Sequence, residues 1–524
     1  MSFVSYEFIG FLAVLILLYY LLPKRFQWGF LLIGSLFFYA FSGWKNLIFI
    51  ATTALSTWGT ALLLERIWKK QDAYLAEHKE LNRDEKKAFK KTVTKKAKAI
   101  FVLCLLFNLG ILAVIKYADF FLENVNHIFG TKFSYFGFLL PLGLSFYMFQ
   151  SLGYVIDVYR RKYPAQRNLG KSALFTCFFP QMIQGPISRY DDLSGTLFAE
   201  HSFNGKEFFY GLLRVVWGFF KKLVIADRLA PVILTLTKDA DSYPGVYVAA
   251  NIIFYAIQLY GDFTGGIDIT IGISRMLGIR VTENFDGPYF SKNVAEYWRR
   301  WHITMGTWFK DYIFYPLSVS GWMLKVTKWS RKHLGAQLGK RIPVYLSTII
   351  VWFATGIWHG AAWNYIVWGL LNCLVLLVSQ EFNPLYRKFH EKCAFSNTRF
   401  WDGIQILRTF LLMGMIRILD VYRDVPLTFR MVGSIFTTPN WGAVTDGSFL
   451  KLGINPADYV VAALGFLALF VVSLLRSKGT AEELLEKRPV IVRYGLLLLL
   501  ILCVVTFGAY GIGYDASQFI YNQF

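Results

Sequence analysis

Residues 343–380 read PVYLSTIIVWFATGIWHGAAWNYIVWGLLNCLVLLVSQ. His359 is the one side chain in this run that can carry a charge near neutral pH. A bilayer core of about 30 Å takes roughly 20 helical residues. The run is therefore about two short spans long, interrupted at Gly356 and Gly360. Comparable apolar blocks recur along the chain and set its class: an all-α polytopic membrane protein. Further spans are read at about 3–22, 26–43, 45–65, 97–121, 136–157, 245–277, 403–420, 457–476 and 492–512, about 11 in all. The first, Phe3 to Leu22, holds one charge, Glu7. No basic segment precedes it and a second span follows at once, so it reads as a retained helix rather than a cleaved signal.

Composition agrees. Of 524 residues, 55% are hydrophobic, above the roughly 45–50% of soluble domains. The net charge of +21 would suit nucleic acid. Its placement does not: the basic residues lie in the loops between spans, where lipid headgroups and the positive-inside rule account for them. The expected partner is the lipid bilayer, with no nucleic acid. The five cysteines, Cys104, Cys177, Cys373, Cys393 and Cys503, are scattered, without CxxC or Cys/His ligand spacing. That pattern speaks against a disulfide framework and against a metal site.

The same charges orient the chain. Trp68 to Lys98 is dense in lysine and should stay cytoplasmic. Counting back through three spans puts the N-terminus outside and the Lys24-Arg25 turn inside. Arg160, Arg161 and Lys162 then fall inside, as does the basic loop from Arg476 to Arg493, which leaves the C-terminus outside. The middle of the chain is less regular. Residues 172–186 are apolar but too short to cross, and read as a re-entrant piece. Residues 206–235 read as an amphipathic or tilted helix carrying Arg214, Lys221, Lys222, Asp227 and Arg228. Residues 294–341, rich in charge and tryptophan, read as a cytoplasmic face. Broken backbone and charge at membrane depth are tolerated only inside protein or against a wet cavity, so residues 140–380 are expected to hold a polar cavity. No soluble domain separates out. The chain reads as a single domain: N-terminal spans 1–135, a core 136–380 and C-terminal spans 381–524.

The chain has seven histidines. His78, His127, His201, His333 and His390 sit in short polar stretches and read as solvated. His302 closes the run Glu296-Tyr297-Trp298-Arg299-Arg300-Trp301-His302, and His359 lies in Gly356-Ile357-Trp358-His359-Gly360. An ionisable group in an apolar run is costly and is a functional hypothesis by default. Imidazole also has the pKa that suits proton abstraction near neutral pH. The competing reading is a histidine that hydrogen-bonds one helix to another. Asp262 and Asp268, six apart, do not share a helical face unless Gly261, Gly265 and Gly266 break the helix. Their expected role is ion pairing, with Arg275, Arg299 and Arg300 as candidate partners. Neither GxSxG nor a phosphate-cradling GxxxxGK[ST] is present.

At these residues the sequence resembles the membrane-bound O-acyltransferase superfamily, in its bacterial polymer-acylating branch. The resemblance rests on blocks in a fixed order: Pro141 to Gln150 with Tyr154 to Arg160, Phe179 to Tyr190, Tyr260 to Asp268, Glu283 to Tyr312, and Gly356 to Gly360. It implies a ring of tilted helices around a central funnel in a bacterial cell membrane. It makes His359 the buried catalytic histidine and His302 the second motif histidine. It also implies a cytoplasmic thioester donor, acetyl-CoA or an acyl carrier protein, with no bound cofactor. Trp298, Arg299, Arg300 and Lys310 are the candidate donor-binding residues, and the basic Lys325–Arg341 stretch could attract the donor's phosphates. Tyr521, in the aromatic C-terminal stretch Phe519 to Phe524, matches a motif tyrosine that receives the acyl group outside. A secreted SGNH-type acetyltransferase would then serve a surface polymer. The sequence departs from the branch at Gly266-Ile267, at Ser318 to Gly321, at Ala362 and at Asn522. Those departures leave the acyl group and polymer open. The alternatives are D-alanyl transfer to teichoic acid, a flippase or exporter for a lipid-linked polymer, and a non-catalytic scaffold.

Overall fold

Backbone in lipid has only itself to hydrogen-bond to, which favours helices. In this computed structural model, which describes residues 1–476 and 479–510, every named element is a helix or helical turn. Among the described residues one antiparallel bridge joins Phe285 and Trp301. Among the described residues, seven helices are long and apolar enough to cross a membrane. The rest of the expected spans are shorter or more charged helices. The described residues form two compact units, 1–211 with 273–282, and 212–272 with the described part of the chain from 283 onward.

The first unit holds α1 (Tyr6–Leu21), α2 (Gln27–Ala40), α3 (Leu47–Glu77), α4 (Arg83–Phe129), α5 (Leu144–Tyr159), α6 (Leu169–Cys177) and α7 (Tyr190–Leu197). The lysine-rich segment is not a loop. It forms the end of α3 and the start of α4, because Lys, Glu and Ala are good helix formers. A capping box between Asn82 and Glu85 starts α4. The span expected from residue 136 begins only at Leu144; Pro141 and the positive φ of Gly137 and Gly143 delay it. After α6 the chain makes one 3-10 turn, Phe179–Gln181, and runs irregular and buried to Ser188. This is the short, broken piece expected at 172–186.

The second unit holds most of α8 (Gly205–Phe219), a π-helical segment (Phe220–Ala226), α9 (Asp227–Lys238) and most of α10 (Val246–Met276). It continues with α11 (Val294–Arg300), α12 (Ile303–Phe309), a second π-helical segment (Lys310–Phe314), α13 (Tyr315–Ser318) and α14 (Gly321–His359). Then come α15 (Trp363–Glu381), α16 (Asn383–Lys392), α17 (Arg399–Arg417), α18 (Leu419–Tyr422) and α19 (Val425–Thr437). Last are α20 (Pro456–Arg476), α21 (Ala481–Glu486) and α22 (Val490–Phe507). The basic insert Lys325–Arg341 is part of α14, which breaks at Gly335 (φ 79°). There the chain folds back, and Ser330 Oγ donates to the Gly339 carbonyl at 3.0 Å.

The interruption expected at Gly356 is absent: α14 runs through it. Gly356 lets two helices touch: a Cβ there would lie 2.5 Å from the Tyr365 carbonyl oxygen, and one at Gly369 would lie 2.5 Å from that of Trp352. The break comes at Gly360, so His359 ends α14 at the tip of a close α14–α15 hairpin. Glycines act the same way in α10, which runs unbroken through Gly261, Gly265 and Gly266. A Cβ on Gly265 would meet the Gly218 carbonyl oxygen of α8 at 2.9 Å.

Candidate active site

Asn284 is the anchor from which the centre is built. Its side-chain oxygen accepts from the Thr304 amide (3.0 Å) and the Thr304 hydroxyl (2.9 Å). His302 Nδ1 stands 3.3 Å from the same oxygen. An oxygen that already takes an amide proton is an acceptor, so Nδ1 must carry the proton and Nε2 the lone pair. Backbone bonds from Ile303 to the Asn284 carbonyl and from Asp286 to the Arg300 carbonyl clamp the segment. They hold His302 fully buried in a left-handed conformation (φ 48°) at the start of α12, a strained position that persists only where surroundings enforce it.

His359 is buried on the α14 tip. Its ring lies 4.6 Å from Trp368 and 5.1 Å from Trp358. The Trp358 ring is also 6.1 Å from His302. The structure thus brings both histidines against one indole. Phe263 packs edge-on to His302 at 5.0 Å, contributing apolar surface from α10.

Arg417 is the residue that sequence reading missed. Its guanidinium lies 4.4 Å above Trp301 and 5.6 Å from both Trp298 and Trp368. Asp420 stands 3.6 Å from it. A planar cation among indole faces is held by cation–π attraction. Burial first, and then the positive charge of Arg417, push the His302 imidazole down to about 3, so it is neutral at physiological pH. The rule that singled out His359 also applies to Arg417 and Asp420, which fall in the expected 403–420 span. They stand at the end of that span, where a charge is ordinary for a membrane helix.

Other expectations fall differently. Trp298 belongs to the tryptophan cluster, with Trp352 at 4.9 Å and a hydrogen bond to Asn372 (3.2 Å). Arg299 and Lys310 are exposed, and Arg300 pairs with Glu296 at 2.7 Å. The partners proposed for the aspartates are corrected. Asp268 is paired with Arg214 (2.9 Å) and Lys221 (2.5 Å), and Asp262 with Lys222 (2.6 Å). Arg275 is taken by Glu207 at 2.8 Å. The reason is the π-helical segment, whose wider turn aims both Lys221 and Lys222 at α10. His201 is half-buried rather than solvated, held by Thr196 and Gln27. Tyr521 lies outside the described residues.

Fold and site define a polytopic membrane protein in which two buried histidines meet one indole. The model of the membrane-bound O-acyltransferase family matches residues 166–419, which include both histidines and Arg417. Over 466 residues the chain is 31% identical to a probable alginate O-acetylase of Pseudomonas syringae pv. tomato, covering 86% of this chain and 78% of that protein. It is 30% identical over 408 residues to a peptidoglycan O-acetyltransferase of Helicobacter pylori, covering 73% of this chain and 70% of the relative. A teichoic acid D-alanyltransferase of Bacillus subtilis is 25% identical over 256 residues, 47% of this chain and 61% of that one. The chain belongs to the membrane-bound O-acyltransferase family and is an acyltransferase.

Proposed function

We propose that this protein moves an acetyl group from a cytoplasmic thioester, acetyl-CoA or an acyl carrier protein, across the membrane for O-acetylation of a cell-surface polysaccharide. The observation that carries the reading is the convergence of His359 and His302 on Trp358, in a buried, aromatic setting. The acceptor hydroxyl oxygen attacks the thioester carbonyl carbon while His359 takes its proton as general base. The carbon–sulfur bond breaks, and the proton passes to the departing thiolate. Neutral His302 orients the donor through Nε2, with Nδ1 held by Asn284. Arg417 positions the tryptophans that carry both rings. Tyr521, expected outside, is the first acceptor, and a secreted SGNH-type acetyltransferase passes the group to the polymer. Trp298, Arg299, Arg300 and Lys310 belong to the donor side of this reading. Acetyl is preferred because the relatives matched over most of the chain are named for O-acetyl transfer.

The test is His359→Ala in cells, with surface esters and surface polymer measured separately. Loss of the esters with polymer export unchanged is expected. Loss of export with unchanged esters per polymer would overturn the reading in favour of a transporter, and a silent variant would mean a scaffold. Mass spectrometry of the Tyr521 peptide identifies the group: an acetyl adduct is expected, and a D-alanyl adduct would reassign donor and polymer.

A further inference from the structure

The first unit contains a cavity of about 290 Å³ that the proposed chemistry does not use. It lies at the end of α1 that leads to Lys24 and Arg25. Its walls are tied together without any ligand. The buried Gln27 side chain donates to the carbonyls of Tyr19 (3.2 Å) and His201 (2.9 Å) and accepts from the His201 amide (2.8 Å). His201 Nε2 donates to the Thr196 carbonyl at 2.7 Å, and Thr196 Oγ1 accepts from the Arg280 amide at 3.1 Å. Tyr20 donates to the Met276 carbonyl at 2.7 Å. The cavity is thus a built feature, set before anything enters it.

Its chemistry is cationic and polar. Arg275 and Arg280 line it, together with Ser202 and Asn204. Lys24 adds its ammonium by a 2.6 Å bond to Ser202 Oγ. Glu207 is the one acid among the described lining residues, and it is engaged by Arg275 at 2.8 and 3.2 Å. Beside this charge the surface is apolar. Phe203, 60% exposed, packs edge-on against Tyr20 at 5.4 Å, and Leu17 and Leu21 of α1 are exposed on the same helix. Exposed aromatics next to basic side chains at a helix end mark the headgroup level of a bilayer. Basic pockets there bind anionic headgroups.

We propose that this cavity is a binding site for the phosphate-bearing headgroup of an anionic glycerophospholipid, with Arg280 and Lys24 meeting the phosphate and Phe203 beside the acyl chains. A soluble phosphate ester shares the headgroup's chemistry but has no use for Phe203. The test uses the full-length protein in detergent, with bound phosphatidylglycerol and phosphatidylcholine counted by native mass spectrometry. Wild type is expected to retain phosphatidylglycerol over phosphatidylcholine. The double variant Lys24→Gln/Arg280→Gln should bind phosphatidylglycerol about thirtyfold more weakly, each surface cation contributing about fivefold. Lys90→Gln/Lys91→Gln, exposed on α4, should bind as wild type does. Equal loss in both double variants, or no preference for the anionic lipid, would overturn the proposal. So would displacement of the lipid by millimolar glycerol 3-phosphate, which would assign the site to a soluble phosphate ester. Unchanged thermal denaturation of the variants keeps the result separate from misfolding.

Discussion

Arg417 ties the two histidine-bearing segments into one electrostatic unit. Its charge lies over Trp301, next in sequence to His302, and against Trp368, which packs on His359. The groups facing His302 are Asn284, Phe263 and Trp358, with the Arg417 charge beyond them. A positive neighbour disfavours the protonated imidazole, so removing it raises the His302 pKa. Arg417→Gln should therefore move the acid limb that His302 protonation sets on ester formation to higher pH, as well as lowering the rate. Arg417→Lys should restore the limb but not the rate, because an ammonium cannot lie flat across three indoles. A pH profile of acyl transfer in membranes checks this; an unshifted limb in the glutamine variant would reduce Arg417 to a packing role.

Helices in this chain approach one another through glycine and are locked by buried charge. Lys222 holds two carboxylates, Asp227 and Asp262, each at 2.6 Å. Removing one partner of a buried pair leaves uncompensated charge and costs about 3–5 kcal/mol. Lys222→Met should lose about that much stability in detergent denaturation. Adding Asp227→Asn and Asp262→Asn should recover most of it. The α14–α15 hairpin offers a second measurement. Gly356→Ala puts a methyl against the Tyr365 carbonyl and shifts the tip that carries His359. A displacement near 1 Å lowers turnover on the order of a hundredfold, so ester formation should fall by that order. Gly59→Ala in α3, with nothing within 4 Å of the new methyl, should instead gain about 0.5–1 kcal/mol from helix propensity alone.

Across the whole molecule the open quantity is sidedness. Charge placement in the sequence predicts α4's lysines inside and Tyr521 outside. A cysteine at Lys90 should then react with an impermeant maleimide only after the membrane is opened, and one at Tyr521 should react in intact cells. The reverse pattern would invert the proposed path of the acyl group.

Apolar run length and the charges between runs, read without any structure, set the class, most span positions and the two histidines. These are local properties: lipid demands apolar length, and an imidazole in an apolar run is conspicuous by itself. The helical nature of the lysine-rich segment was also latent in its composition. Partnership was not legible. Arg275, Arg299 and Arg300 were as plausible for Asp262 and Asp268 as Lys221 and Lys222, because pairing depends on where a π-helical turn aims two lysines. Gly356 reads as a break and Gly261 leaves one open, since a missing side chain reads alike whether it loosens a helix or admits a neighbour. Arg417 gained its place only through Trp298, Trp301 and Trp368, which meet around it from two distant stretches of chain. Sequence distance carries no information about which faces meet; packing decides that.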